Sequence, residues 1–189
     1  MLFLVQHFKF IESELKGAYL IHPFVADDER GAFIKDYSHE VFLNHGIDHA
    51  LKEVFYTYSK KGVVRAIHFQ HTKEQAKLVR CISGKIFDVI VDLRKDSPTF
   101  GQWRSYLLSD ENKLELYIPK HFGHGYLVLE PSIVSYQCSE KFYGEYDDGI
   151  LWNDKELAIT WPVELVDEII LSTKDQNLQT FKEFKDNLE

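Results

Sequence analysis

Arg65, His68 and Lys77 stand in a stretch that otherwise reads as buried strand. Val63, Val64, Ile67, Phe69, Leu78 and Val79 surround them, so a guanidinium, an imidazole and an ammonium are set into an apolar wall. Burying polar groups without partners is costly, which makes the concentration a candidate site. The alternative for His68 is a core histidine satisfied by its neighbours. As chemistry, the three donors suit an anionic ligand bearing an acidic C–H. An imidazole titrates near working pH and can take a proton from carbon. An ammonium can stabilise the oxygen charge that follows, and a planar guanidinium grips phosphate through parallel bonds better than an ammonium does. One geometric condition applies. Arg65 and His68 are three apart, and in a regular strand such residues face opposite sides, so a shared site requires a bulge or a strand end between them.

The elements that must hold these residues read as β. Residues 52–59, 63–69, 76–82, 85–93, 102–108, 113–118, 124–129 and 132–138 carry runs of β-branched and aromatic residues. They are separated by turn-formers at Ser83-Gly84, Asp96-Ser97-Pro98, Ser109–Asn112 and Glu130-Pro131-Ser132. Eight short strands at this spacing predict an antiparallel sandwich or barrel, an all-β fold. Within 85–93, Phe87, Val89, Val91 and Leu93 share one face while Ile86, Asp88, Ile90 and Asp92 share the other. Short helices are expected at Ser38–Asn44 and from about Asp175, where Leu178, Phe181, Phe184 and Leu188 recur at helical spacing.

Composition narrows the partners. A chain of 189 residues suits a single domain over 1–189 with a sizeable core. A net charge of −8 argues against nucleic acid or an anionic membrane as partner, so a diphosphate ligand would need a local cationic patch. Arg65, Lys77 and Arg30 could supply one. Cys81 and Cys138 lie in strand-like runs without CxxC spacing, which predicts reduced thiols in a cytoplasmic protein. The apolar run at Met1–Phe10 lacks a basic leader and is not read as a signal peptide.

Val64-Arg-Ala-Ile-His-Phe-Gln70, Ser97-Pro-Thr-Phe-Gly101 and His124-Gly-Tyr-Leu-Val-Leu129 give the chain a more specific likeness. From about Arg30 to Asp175 it resembles the dTDP-4-dehydrorhamnose 3,5-epimerase family of sugar-nucleotide enzymes. The resemblance implies a cupin-type jelly roll, usually as a homodimer. It also implies inversion of carbon 3, carbon 5 or both in a nucleotide-diphosphate-linked 4-keto-6-deoxy sugar, through an enolate, for surface polysaccharide or deoxysugar biosynthesis. It assigns His68 as the base, Asp175 as the carboxylate that orients it, Lys77 as the neutraliser of the enolate oxygen, and Tyr136 as the acid. Arg65, Arg30, Phe33, His124, Gln70, Glu53 and Phe142 become substrate-binding residues, with no metal and no other cofactor. From the residues alone, Asp175 is also a capping residue of Ser172-Thr-Lys-Asp175, Tyr136 a strand tyrosine, Lys77 an edge lysine, and Arg65 an ion-pair partner of Asp88 or Asp92.

The sequence leaves the family pattern in places. Where relatives have Arg-Gly-Phe-Phe-x-Glu, this chain has Arg30-Gly-Ala-Phe-Ile-Lys35; Gln-x-Asn becomes Glu53-Val-Phe55, Ala66 replaces a glycine, and Phe142 replaces a tyrosine. Losing paired amides removes hydrogen bonds that read a base edge, which puts the nucleotide in question more than the reaction. Three other functions are weighed. One is a sugar-nucleotide ketoisomerase of the same fold, and another a non-catalytic sugar-nucleotide-binding cupin. The third is a metal-dependent cupin enzyme using His68, His71, Glu74 and His124, although His68 and His71 lack the usual His-x-His spacing.

Overall fold

The computed structural model describes residues 7–188. Most of the N-terminal apolar run read above as no signal peptide therefore lies outside the described residues. Eleven strands are formed among them: β1 (Lys9–Glu12), β2 (Tyr19–His22), β3 (Phe24–Asp28), β4 (Gly31–Lys35), β5 (Glu53–Ser59), β6 (Val64–Gln70), β7 (Lys77–Asp92), β8 (Trp103–Ser109), β9 (Glu115–Ile118), β10 (Phe122–Cys138) and β11 (Asp147–Gly149). Nine of these join one sheet in the order β1-β2-β9-β7-β10-β6-β11, with β5 added on β10 and β8 on β7; β3 and β4 form a separate hairpin.

The spine is the antiparallel pair β7–β10, which runs through both halves of the fold. Lys77–Arg80 of β7 pair with β9, while Lys85–Val91 pair with β8. Likewise His124–Leu127 of β10 face β6, and Ser132–Cys138 face β5. Each long strand thus gives one end to each layer, and the result is the cupin-type jelly roll. Here the expected boundaries need correction. The segments 76–82 and 85–93 are one strand, as are 124–129 and 132–138, because Ser83-Gly84 and Glu130-Pro131-Ser132 are corners rather than turns. Register shifts fall at Val128/Glu130, Glu130/Ile133 and Ile133/Val134, as bulges do where a strand bends between layers. Gly84 is required there. Its φ is +82°, and a Cβ on it would lie 2.2 Å from the Pro131 carbonyl oxygen.

The alternation expected in 85–93 separates two apolar clusters. Ile86 and Ile90 belong to one, with Val79, Cys81, Tyr126, Val134 and Tyr136. Val89, Val91 and Leu93 belong to another, with Ile67, Phe69, Trp161 and Phe181. A third cluster places Leu78 and Tyr117 under Phe42 of helix α1 (His39–Asn44), which starts after Ser38 as expected. Cys81 and Cys138 are buried and unpaired, and no helix of the described residues is long and apolar enough to cross a membrane.

The chain's last segment returns along the barrel. Ile170 bridges Val63 and Gln179 bridges Ile150, both in parallel. The helix expected from Asp175 begins later. Asp175–Asn177 form a single 3-10 turn, Leu178 and Thr180 are extended, and α2 spans Phe181–Asp186. Its start is set by Thr180 and Glu183, a capping box in which Glu183 N–H donates to Thr180 Oγ1 at 3.2 Å and Thr180 N–H to Glu183 Oε2 at 2.7 Å. The helix docks as expected, with Phe184 edge-on to Phe69 and Phe181 against Phe100.

Candidate active site

The bulge that a shared site requires is present. β6 and β10 pair His68 with His124 and Arg65 with Tyr126, so three steps on β6 match two on β10. Within it the Ala66–Ile67 peptide is cis. The extra residue turns Arg65 and His68 toward one cleft. Gly125, between His124 and Tyr126, lets the strands close over it, since a Cβ there would sit 2.5 Å from the Ala66 Cβ and 2.6 Å from the Arg65 carbonyl oxygen.

The cleft holds about 290 Å³, and eight of the eleven expected site residues line it: His68, Tyr136, Asp175, Lys77, Arg65, His124, Gln70 and Phe142. At its centre His68 Nε2 is 2.6 Å from Asp175 Oδ1. That buried oxygen has no aligned hydrogen-bond partner, so the close contact lies off the N–H axis and becomes an ion pair only when His68 is protonated. Oδ2 of the same carboxylate accepts the Ser172 hydroxyl at 2.6 Å, and the Asp175 N–H donates to Ser172 Oγ at 3.0 Å. The expected capping box is not formed, since the Asp175 carboxylate takes the Ser172 hydroxyl rather than its amide and the helix is capped later by Thr180; the pairing with His68 uses the other carboxylate oxygen. Burial alone would raise the Asp175 carboxyl, but His68 and the Ser172 hydroxyl together hold it below the usual range.

A second carboxylate–imidazole pair lies deeper. His124 Nε2 is 3.1 and 2.9 Å from the two oxygens of Asp88, and both residues are buried. Burial raises the Asp88 carboxyl, opposed by His124 and Lys77. Burial in turn lowers the Lys77 ammonium, opposed in part by Asp147 and Asp88, which suits a cation meant to meet charge only when charge develops. Burial also pushes the Tyr136 phenol well up, helped by Tyr126 and Asp88, so at neutral pH it is a proton donor. Arg65 has neither Asp88 nor Asp92 as partner: its Nε donates to Ser59 Oγ at 3.2 Å, while Asp92 is held by Arg94, Ser97 and Thr99.

Three expected ligands are elsewhere. Arg30, with 85% of its side chain exposed, pairs with Asp28 at the tip of the β3–β4 hairpin, and Phe33, 58% exposed, packs on Phe24 of that hairpin. Neither reaches the cleft of its own chain. Glu53 supports the rim instead, accepting the Phe142 N–H at 2.8 Å. Gln70 lines the cleft, yet its amide ties down loops: Nε2 donates to the carbonyls of Lys73 and Lys141 at 2.7 and 3.2 Å, and Oε1 accepts from Tyr143 N–H at 2.7 Å. The weighed metal set does not converge. His71 bonds Thr72, Glu74 pairs with His121, and His124 pairs with Asp88.

Sequence reasoning placed Phe55 only as a departure from a base-reading motif, and missed Thr57, Phe69, Gln75, Asp147, Ser172 and Lys174 as lining residues. Lys174 is paired with Asp147 across the mouth. For Phe55 and Thr57 the signal was available as period-2 alternation against the exposed Val54, Tyr56 and Tyr58, but both faces of β5 are aromatic and do not say which is inside.

Comparison with known proteins agrees with this geometry. The sequence profile of the dTDP-4-dehydrorhamnose 3,5-epimerase family matches residues 12–183. A dTDP-4-dehydrorhamnose 3,5-epimerase from Methanothermobacter thermautotrophicus is 46% identical over 177 residues, covering 93% of this chain and 96% of its own. Among solved structures, the dTDP-6-deoxy-D-glucose-3,5-epimerase of Legionella pneumophila Philadelphia 1, in complex with dTDP-4-keto-L-rhamnose, superposes with a TM-score of 0.92 at 35% identity, covering 96% of this chain and 97% of that one. A 3'-monoepimerase from Streptomyces bikiniensis in complex with dTDP-quinovose gives a TM-score of 0.87 at 28% identity over 93% and 89% of the two chains. With a match over most of its length, and with an imidazole–carboxylate pair, a lysine and an un-ionised tyrosine around one cleft, the chain belongs to the dTDP-4-dehydrorhamnose 3,5-epimerase family of isomerases.

Proposed function

We propose that the protein epimerises a dTDP-linked 4-keto-6-deoxy hexose at carbon 3 and carbon 5. The observation that carries this reading is the 2.6 Å His68–Asp175 pair in the same cleft as Lys77 and Tyr136. His68 removes the proton next to the ketone, and Asp175 stabilises the imidazolium that forms. Lys77 meets the charge developing on the enolate oxygen. Tyr136 returns a proton on the opposite face, and the enzyme resets by proton exchange with water. Arg65 grips the diphosphate, His124, fixed by Asp88, orients a sugar hydroxyl, and Phe142 covers the ligand at the rim. The dTDP-linked sugars bound in the related structures favour dTDP. Glu53 and Phe55, which raised the question of another nucleotide, brace Phe142 and stack on Tyr136, so neither change dismantles the cleft.

The protein acts in this reading as a homodimer in the cytoplasm. The exposed hairpin supports the first point, since Arg30 and Phe33 become ligand-binding residues only in the cleft of a second copy. Buried, unpaired thiols support the second.

The test is proton NMR in heavy water with the dTDP-, GDP- and CDP-linked forms of one 4-keto-6-deoxy sugar. The expected result is exchange and inversion at both carbons with the dTDP form, and loss of both in His68→Ala with the fold intact. Near-parental turnover by His68→Ala, or preference for another nucleotide, refutes the corresponding part.

A further inference from the structure

Tyr136 is held by two rings of unequal exposure. On one side His124 approaches edge-on, with ring centroids 5.7 Å apart and planes at 70°. His124 is itself buried and pinned by Asp88, so that wall is fixed. On the other side Phe55 lies nearly parallel, 4.8 Å away with planes at 12°. Phe55 is directly opposite Tyr136 in the β5–β10 ladder, and cross-strand aromatic pairs of this kind act as a unit. It is 37% exposed and lines the cleft, so it is the solvent-facing wall of the pair. Two residues on, Thr57 Oγ1 lies 2.8 Å from the Tyr126 hydroxyl. The inward face of β5 therefore braces both tyrosines. His68, Asp175 and Lys77 stand on other elements, and among the described residues Phe55 makes its ring contact with Tyr136 and none with His68.

We infer that Phe55 is a positioning residue for Tyr136, and that through it Phe55 sets what fraction of deprotonated sugars leave inverted rather than returned unchanged. The inference rests on the reading of Tyr136 as the acid. Proton removal by His68 does not pass through the stack, so loosening it slows one reprotonation and leaves deprotonation alone. Every enolate that Tyr136 fails to quench takes its proton back from the His68 side. The enzyme then exchanges solvent deuterium into the substrate without changing configuration. The flat face of Phe55 also keeps water off the phenol.

The experiment measures two rates on one sample, solvent exchange and net inversion, by NMR in heavy water with the dTDP-linked 4-keto-6-deoxy sugar. In Phe55→Ala the ratio of inversion to exchange should fall about tenfold, the upper value expected of a stacked aromatic pair, with exchange within a factor of about two of the parent. Phe55→Tyr, which restores the flat ring, should restore the ratio, and Phe55→Leu, which fills the space without a flat face, should not. An ultraviolet titration of phenol ionisation, read as the difference between Phe55→Ala and Phe55→Ala/Tyr136→Phe, should place Tyr136 at lower pH than in the parent, a readout independent of turnover. A parental ratio in a folded Phe55→Ala overturns the inference. So does a rise in KM at constant ratio, which would make Phe55 a substrate contact. If the parent itself neither exchanges nor inverts, the reading of the reaction fails, and the tyrosine titration alone then decides whether Phe55 shields the phenol.

Discussion

Replacing Asp175 by Asn removes one charge and almost no volume, which makes it the cleanest test of the central pair. Nε2 and Oδ1 are 2.6 Å apart. With both charges delocalised their centres are about 4 Å apart, and at an effective dielectric constant of about 20 the attraction is about 4 kcal/mol. His68 is 25% exposed, and screening on that side reduces the usable part to about 2–3 kcal/mol. At about 1.4 kcal/mol per decade, the rate of proton abstraction should fall about 30- to 150-fold. The loss should appear in exchange at both ring carbons, since one base serves both. Stability should fall only modestly, because the fold holds the Asp175 carboxyl below its ordinary value and so favours the carboxylate at neutral pH, while an amide is less costly to bury than a carboxylate. Thermal unfolding alongside the exchange assay separates the two effects. The pH dependence has a fixed sign. Asp175 is held below the ordinary carboxylate range, so its negative charge is present above that range and is lost as pH falls through the lowered value; in Asp175→Asn this acid-side loss should disappear. An Asp175→Asn enzyme that exchanges within threefold of the parent would refute the reasoning, as would a large drop in its unfolding temperature with the residual rate tracking the folded fraction.

Two further outcomes can be checked. Asp92, held by Arg94, Ser97 and Thr99, has its carboxyl lowered to about 2, a contribution of about 2–3 kcal/mol present above about pH 4 and lost as pH falls toward 2; urea unfolding of parent and Asp92→Asn should differ by that amount at pH 7 and converge at low pH, and an unchanged gap contradicts it. If Arg30 and Phe33 serve a second copy's cleft, mixing inactive His68→Ala with an Arg30→Ala/Phe33→Ala variant after partial unfolding should recover about a quarter of parental activity, the share of competent clefts in a random dimer mixture, whereas no recovery argues for clefts complete within one chain.

The β framework was legible because period-2 alternation and the fold's two-sided burial say the same thing. Phe87, Val89 and Val91 separate from Ile86 and Ile90 in the sequence as they do in the clusters. What sequence could not distinguish is a turn from a corner. Ser83-Gly84 and Glu130-Pro131-Ser132 break a strand's pattern equally in either case, and only the partner's carbonyl, 2.2 Å from where a Gly84 Cβ would be, shows that the chain continues. Strands β1–β4 were not expected, being short and, in β3–β4, largely exposed. In the site, residues on the spine and β6 were identifiable from their own motifs. Glu53 and Gln70 were assigned to the ligand because polar side chains near a cleft look alike in sequence, whether they face a substrate or a loop's backbone. The start of α2 was misplaced because Leu178 has helical spacing to Phe181, yet the capping pair is Thr180 with Glu183.

The His68–Asp175 pair joins strand β6 to the 3-10 turn that lies between the tail's two bridges to the barrel, at Ile170 and Gln179. During synthesis His68, Lys77 and Tyr136 are made first, and Asp175 follows its imidazole partner by over a hundred residues. A chain stalled ahead of Ser172 would carry His68, Lys77 and Tyr136 while lacking the carboxylate that pairs with His68. Packing of Phe181 and Phe184 against the barrel therefore fastens the segment that carries one half of that pair.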